Sequence, residues 1–164
     1  MQLLKPYVSF MERLNKWMLI FVGILLGVMT LFICTQVFYR YALNQSLSWT
    51  EEATKYISIW SVFLGASIAA GRRELISVEA IMQLIPEKIE KAFRVMVLFF
   101  SIVFCLYLII YGFSMVQEVA VQRSTALRLP MWIPYAAIPV GGFLILLNLF
   151  SVLIRTFQVE ERGE

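Results

Sequence analysis

The adjacent carboxylates Glu51 and Glu52 are the clearest candidates for chemistry in this sequence, and Lys55 follows them one turn later. Carboxylate oxygens are preferred ligands of hard cations, so the pair could bind an ion. Adjacent residues on a helix point about 100° apart, however, and do not converge on one site. Helix capping and an i,i+4 pair between Glu51 and Lys55 explain these charges without a ligand. We therefore expect no metal and no cofactor on this chain.

Other catalytic groups are scarce. The 164 residues include no histidine, which removes the commonest general base and metal ligand and excludes a histidine-ligated haem bundle. The two cysteines, Cys34 and Cys105, each lie in an apolar run, where a thiol packs like a small hydrophobe. There is no phosphate-binding loop and no acid pair within an apolar run. We predict that the chain is not an enzyme and has no catalytic or substrate-binding residue.

The composition indicates which elements must hold these few polar groups. Hydrophobic residues make up 60% of the chain and charged residues 15%, against about 45–50% and about 25% in soluble domains. Four uncharged runs cover 17–39, 56–71, 95–117 and 129–154, and a helix of about 20 residues crosses a bilayer. A Ser-x-x-Glu capping box at Ser48 extends the second run toward the N-terminus. The sequence predicts one all-α membrane domain, 1–164, with spans near 17–39, 48–71, 88–117 and 129–155.

The basic residues predict an orientation. Ten of the 14 lysines and arginines lie in the N-terminal segment, the second loop and the C-terminal segment, and four lie on the other side of the spans. Because cytoplasmic segments carry the excess of lysine and arginine, both termini are predicted to be cytoplasmic. Within the second loop, residues 74–85 repeat apolar side chains at spacings of three, four and three. This pattern predicts an amphipathic helix in the cytoplasmic interface, with an apolar face of Leu75, Val78, Met82 and Ile85.

Two features of the spans bear on function. No Asp, Glu, Lys or Arg lies at the centre of any span, although such residues usually mark ion pathways and substrate sites in membranes. This favours a scaffold over a translocating protein. Small residues are also spaced by four, at Gly23 and Gly27 and at Ser61, Gly65 and Ala69, which lets helices approach closely. We expect packing within this unit, with contact to a separate subunit as the alternative.

Three stretches then resemble a known family: FYRYALNQSLSWTEEATKY at 38–56, IWSVFLGASIAAGRR at 59–73 and TALRLPMWIPYAAIPVG at 125–141. Together they resemble the DctQ-like small membrane subunit of tripartite ATP-independent periplasmic (TRAP) transporters. One departure concerns Leu75, which stands where family members often carry a histidine. The resemblance implies a bacterial inner-membrane protein that scaffolds a larger transmembrane subunit and meets a periplasmic substrate-binding protein.

The resemblance further implies that the larger subunit binds sodium and moves an organic acid, such as a dicarboxylate, a 2-oxo acid or sialic acid. Arg123 and Arg128 become candidates for docking the binding protein, although an anchor to lipid phosphates would explain them too. No nucleic-acid partner is expected. Two alternatives stay open: an accessory membrane subunit of an unrelated complex, and a self-sufficient small oligomeric transporter. The candidate subunit-interface residues are Arg40, Tyr41, Trp49, Glu51, Glu52, Trp60, Ser61, Gly65 and Ala69.

Overall fold

The computed structural model describes residues 5–72 and 87–160. Apart from one isolated bridge in a loop, the regular structure of these residues is helical. The helices are α1 (Lys5–Ala42), α2 (Ser48–Gly71), α3 (Glu87–Glu118), the short α4 (Trp132–Tyr135) and α5 (Ala137–Glu160).

The prediction of an all-α fold with four membrane-spanning helices is confirmed. Four helical segments are long and apolar enough to cross a membrane: Pro6–Ala42, Ser48–Gly71, Val95–Glu118 and Trp132–Ile154. The predicted interfacial helix, with Leu75, Val78, Met82 and Ile85, lies outside the described residues. That helix and the cytoplasmic location of both termini stay predictions.

Helix α1 is longer than the uncharged run that predicted it. It has 38 residues and is therefore about 57 Å long at about 1.5 Å per residue. Its first turns continue through Arg13 and Lys16 because Met11 and Asn15, exposed by only 1% and 8%, pack against the other helices. The uncharged run therefore indicates the part of α1 that lies in hydrocarbon. The helix extends beyond that part where its side chains pack against other helices.

The long helices pack in the order α1, α2, α5, α3. The last span therefore lies between the second and the third, and α1 and α3 form the ends of a row. Burial agrees with this order. In the most apolar 18-residue stretch of each span, 28% is buried in the α2 span and 33% in the span formed by α4 and α5, against 11% in the α1 span and in the α3 span. Side chains of α1 and α2 form the core cluster, namely Met18, Val22, Leu64 and Ile68.

Two local predictions were wrong. Helix α2 begins at Ser48, but Leu47 is its N-cap and no side-chain cap forms. The Thr50 hydroxyl instead donates to the Leu47 carbonyl at 2.7 Å. Glu51 and Lys55 are both exposed in the described chain, and no ion pair of up to 4.0 Å joins them.

The glycines that touch other helices are not the ones the spacing indicated. A Cβ at Gly23, Gly27 or Gly65 would meet no atom within 4 Å, so these glycines do not mediate packing among the helices that the structure describes. A Cβ at Gly71 would instead overlap the side-chain amides of Asn148 and Asn15. Spacing of small residues shows only that close approach is possible, and the contact itself depends on which face the neighbouring helix covers.

Candidate functional site

A hairpin at residues 119–131 joins α3 to α4, near the start of α2. Its two arms pair through the backbone: Ser124 N–H donates to the Leu129 carbonyl at 2.9 Å, and Met131 N–H donates to the Gln122 carbonyl at 2.9 Å. The Ser124 hydroxyl, in a residue only 5% exposed, accepts Leu129 N–H at 3.3 Å. These bonds close the base of the hairpin and leave 125–128 as its tip.

Glu52 binds this tip directly. One carboxylate oxygen, Oε1, accepts the N–H groups of Thr125 at 3.1 Å and Ala126 at 3.0 Å, and Oε2 accepts Leu127 N–H at 3.0 Å. Successive backbone N–H groups form a concave site for an anion, and hydrogen bonds to an ionised acceptor are stronger than neutral ones. The carboxylate therefore ties a hairpin more than 70 residues away in sequence to the first turns of α2.

Arg123 and Arg128 flank the tip, and both side chains are exposed. The backbone of Arg123 forms an isolated antiparallel bridge with Pro130. Arg128 has a φ of 52°, in the left-handed region that a non-glycine residue occupies only when its surroundings impose it. Within the described chain neither guanidinium has an ion-pair partner. The hairpin thus presents two exposed cationic groups on a backbone held by hydrogen bonds.

Two further side chains of α2 hold the segment that follows the tip. The Tyr56 hydroxyl lies 3.4 Å from the sulfur of Met131, and the Trp60 indole N–H donates to the Ile133 carbonyl at 3.2 Å. Glu52, Tyr56 and Trp60 are spaced by four residues and therefore share one face of the helix. This face contacts the connecting segment from its tip to α4.

Some of the remaining predicted interface residues contact other parts of this chain, and the others point outward. Ser61 is buried at 6% exposed and its hydroxyl donates to the Ile57 carbonyl at 2.8 Å, while Ala69 is half-buried. Trp49 is 41% exposed and its ring contacts Phe32 edge to face at 5.7 Å.

Arg40 and Glu51 are exposed, and Tyr41 is 79% exposed. Gly65 is half-buried, with open space beside its Cα. These outward-facing residues are the ones that a separate subunit could reach.

A polar cluster near the end of α2, away from the hairpin, was not predicted from the sequence. Asn15 Nδ2 donates to Asn148 Oδ1 at 2.7 Å, and Asn148 Nδ2 lies 3.0 Å from the Ser67 hydroxyl and 3.2 Å from Asn15 Oδ1. Ser67 and Asn148 are fully buried. The cluster joins α1, α2 and α5. A sequence signal did exist, since Asn148 is a lone amide within the run 129–154.

Comparison with known proteins identifies the family. The family model described as "Tripartite ATP-independent periplasmic transporters, DctQ component" matches residues 29–159. The chain belongs to the DctQ family. It is therefore a small permease subunit of a TRAP transporter, and its four spans lie in the bacterial inner membrane.

Three relatives agree with the DctQ assignment. A Haemophilus influenzae protein, provisionally named TRAP transporter small permease protein, is 29% identical over 157 residues, covering 95% of this chain and 97% of the relative. The C4-dicarboxylate TRAP transporter small permease protein DctQ of Vibrio cholerae is 23% identical over 168 residues, covering 88% and 71%.

The third relative, the isethionate TRAP transporter permease protein DctMQ of Oleidesulfovibrio alaskensis, is 29% identical over 132 residues. That match covers 75% of this DctQ chain but only 21% of the relative, so the matched region is part of a much longer polypeptide. TRAP small subunits associate with a large permease subunit. All three relatives are named as transporter permeases, and none of the names describes an enzyme.

Proposed function

We propose that this DctQ protein is the non-catalytic scaffold of a sodium-driven, binding-protein-dependent transporter for organic acids, and that the hairpin 119–131 helps to dock the binding protein. The observation that carries the docking proposal is the hairpin held by Glu52, with two exposed arginines that have no ion-pair partner among the described residues. The proposed substrates are carboxylates, such as dicarboxylates, 2-oxo acids or sialic acid. The Vibrio relative, named for C4-dicarboxylate, supports this class, and the relative named for isethionate extends it to a sulfonate.

The scaffold role is supported by how the chain uses its polar groups. No Asp, Glu, Lys or Arg lies at the centre of a span, where it could form part of an ion pathway. The buried amides of Asn15 and Asn148 bind each other, and Asn148 also binds the Ser67 hydroxyl. These polar groups therefore serve helix packing. Sodium and substrate are therefore assigned to the large subunit, and this chain holds that subunit fixed in the bilayer.

The proposed orientation places the hairpin in the periplasm. It follows from the ten basic residues of the N-terminal, second-loop and C-terminal segments against four elsewhere. The hairpin and the start of α2 lie on the side with fewer basic residues. A soluble periplasmic protein would meet Arg123 and Arg128 there.

The physical role of these arginines is electrostatic steering. Charges at an interface rim mainly raise the encounter rate and fix the register, and they add modestly to affinity. They are also screened beyond about 8–10 Å at ordinary ionic strength. An acidic patch on the binding protein would therefore be attracted most strongly at low salt.

The test compares transport by the reconstituted complex with Arg123→Glu/Arg128→Glu, after confirming that the large subunit still co-purifies. We expect the apparent KM for the substrate-loaded binding protein to rise and the maximal rate to stay near wild type. The salt dependence of the apparent KM should also weaken, because the steering charges are gone.

Two controls sharpen this test. Arg123→Lys/Arg128→Lys keeps both charges and should retain most of the steering. Lys55→Glu reverses an exposed charge on the same side of the membrane, but outside the hairpin, and should leave the apparent KM nearly unchanged. An unchanged apparent KM in the double Glu variant, with the complex intact, would remove the hairpin from the docking surface.

A further inference from the structure

The tip of the hairpin depends on one side chain for its hydrogen bonding. The N–H groups of Thr125, Ala126 and Leu127 donate to Glu52, and the backbone pairing of the hairpin satisfies only its base. Within the described chain, Glu52 forms no ion pair with a lysine or arginine. The carboxylate and the three amides therefore satisfy each other's hydrogen bonding. If either partner were removed, the other could form these hydrogen bonds only with water.

The same contact fixes where the two arginines stand. Arg123 and Arg128 immediately bracket the residues that Glu52 binds, so their Cα positions depend on the tip conformation. Arg128 occupies the left-handed region with a φ of 52°, which a free loop would seldom retain at a non-glycine residue. Helix α2 is a rigid reference for this geometry, because Tyr56 and Trp60 on the same face hold Met131 and Ile133.

We propose that Glu52 is a positioning residue that holds Arg123 and Arg128 in the arrangement an acidic face of the binding protein recognises. The proposal rests on the docking function proposed above, and it adds a residue that does not itself touch the partner. Preformed geometry favours association because the loop does not have to be ordered at the moment of binding. Loss of the brace should therefore weaken docking even though both arginines remain.

The experiment uses the complex of small and large subunits, reconstituted with the binding protein. Glu52→Gln keeps nearly the same size, but places an amide N–H₂ group against backbone N–H donors. Glu118→Gln is the matched control, because it removes an equal charge from an exposed side chain beside the hairpin that has no partner in the described chain.

Two quantities are measured, namely hydrogen exchange of the amides of 125–127 and the apparent KM for the loaded binding protein. We expect Glu52→Gln to accelerate exchange and to raise the apparent KM on the order of three- to tenfold, with the maximal rate near wild type. Glu118→Gln should change neither quantity. Glu52→Asp keeps the charge at shorter reach and should give an intermediate effect, and it replaces Glu52→Gln if that variant assembles poorly.

Combining Glu52→Gln with Arg123→Gln/Arg128→Gln, which removes both charges without reversing them, decides whether Glu52 acts through the arginines. The triple variant should have the same apparent KM as the Arg123→Gln/Arg128→Gln double variant, since an interaction that is already lost cannot be lost again. A further rise would show that Glu52 acts by another route and would overturn the proposal.

Failure of this inference is distinguishable from failure of the docking function. Faster exchange without a change in apparent KM, alongside an effect of the arginine reversals, would refute positioning and leave docking intact. No effect of the arginine reversals would refute docking, and the positioning role with it. Unchanged exchange in Glu52→Gln would show that the brace does not hold the tip.

Discussion

Replacing Gly71 by alanine should destabilise this DctQ protein, and the structure indicates by how much. The added Cβ would overlap Asn148 Oδ1 and lie 2.6 Å from Asn15 Nδ2. These are the two atoms of the shortest hydrogen bond in the polar cluster, at 2.7 Å. To admit the methyl group, the two amides must separate. Both amide–amide bonds of the pair are then strained or lost.

The expected magnitude follows from the energy of such bonds in membrane proteins. Each interhelical polar contact contributes about 0.6–2 kcal/mol, so loss of the Asn15–Asn148 pair costs roughly 1–4 kcal/mol for two bonds. Gly65→Ala is the control, since it makes the same change on the same helix where a Cβ meets no atom within 4 Å. Alanine gains up to about 1 kcal/mol over glycine inside a helix, so Gly65→Ala should be neutral or stabilising.

Thermal unfolding of the purified chain in mild detergent measures this difference. We expect the midpoint of Gly71→Ala to fall several degrees below that of Gly65→Ala. Adding Asn148→Ala to Gly71→Ala makes room for the methyl group, so the two changes together should cost less than the sum of their separate costs. Equal midpoints for the two glycine variants, or simple additivity in the double variant, would refute the steric account of the cluster.

The remaining predictions concern topology, activity and the second loop. A reporter fused to the C-terminus should be active only if it functions in the cytoplasm, and activity of a periplasmic reporter there would contradict the predicted orientation. The chain reconstituted without its large subunit should give no sodium-dependent uptake above empty vesicles, and robust uptake would support the self-sufficient transporter instead. Val78→Glu/Met82→Glu should lower folding yield or thermal stability because both side chains lie on the predicted apolar face of 74–85, and wild-type stability would argue against an interfacial helix.

The four spans were predictable from the sequence, because a long apolar run without charged residues indicates a helix that lies in lipid. The start of α1 was not predictable in this way. Its first turns carry Arg13 and Lys16, and the packing of Met11 and Asn15 depends on contacts with helices distant in sequence. The packing order could not be predicted either. The position of α5 between α2 and α3 depends on contacts between distant helices, which no local sequence pattern specifies.

The candidate site was located in part. Glu52, Arg123 and Arg128 were singled out from the sequence, but no spacing rule joins a carboxylate to amides more than 70 residues later. The structure also shows why the neighbouring carboxylates behave differently. Glu52 faces the hairpin, whereas Glu51 is exposed, as expected for adjacent residues pointing about 100° apart on a helix.

The polar contacts at the two ends of α2 fit the requirements of a scaffold. Near its start, Glu52 binds the hairpin, and near its end, Ser67 binds Asn148 within the cluster of α1, α2 and α5. In hydrocarbon an unsatisfied polar group is costly, so the contact of Ser67 with Asn148 opposes sliding or rotation of the helices more strongly than apolar packing, which lipid tails can replace. We propose that the two sets of contacts together hold the hairpin in a fixed position relative to the helices. In the proposed complex, this fixed position would let the binding protein meet the large subunit in one register.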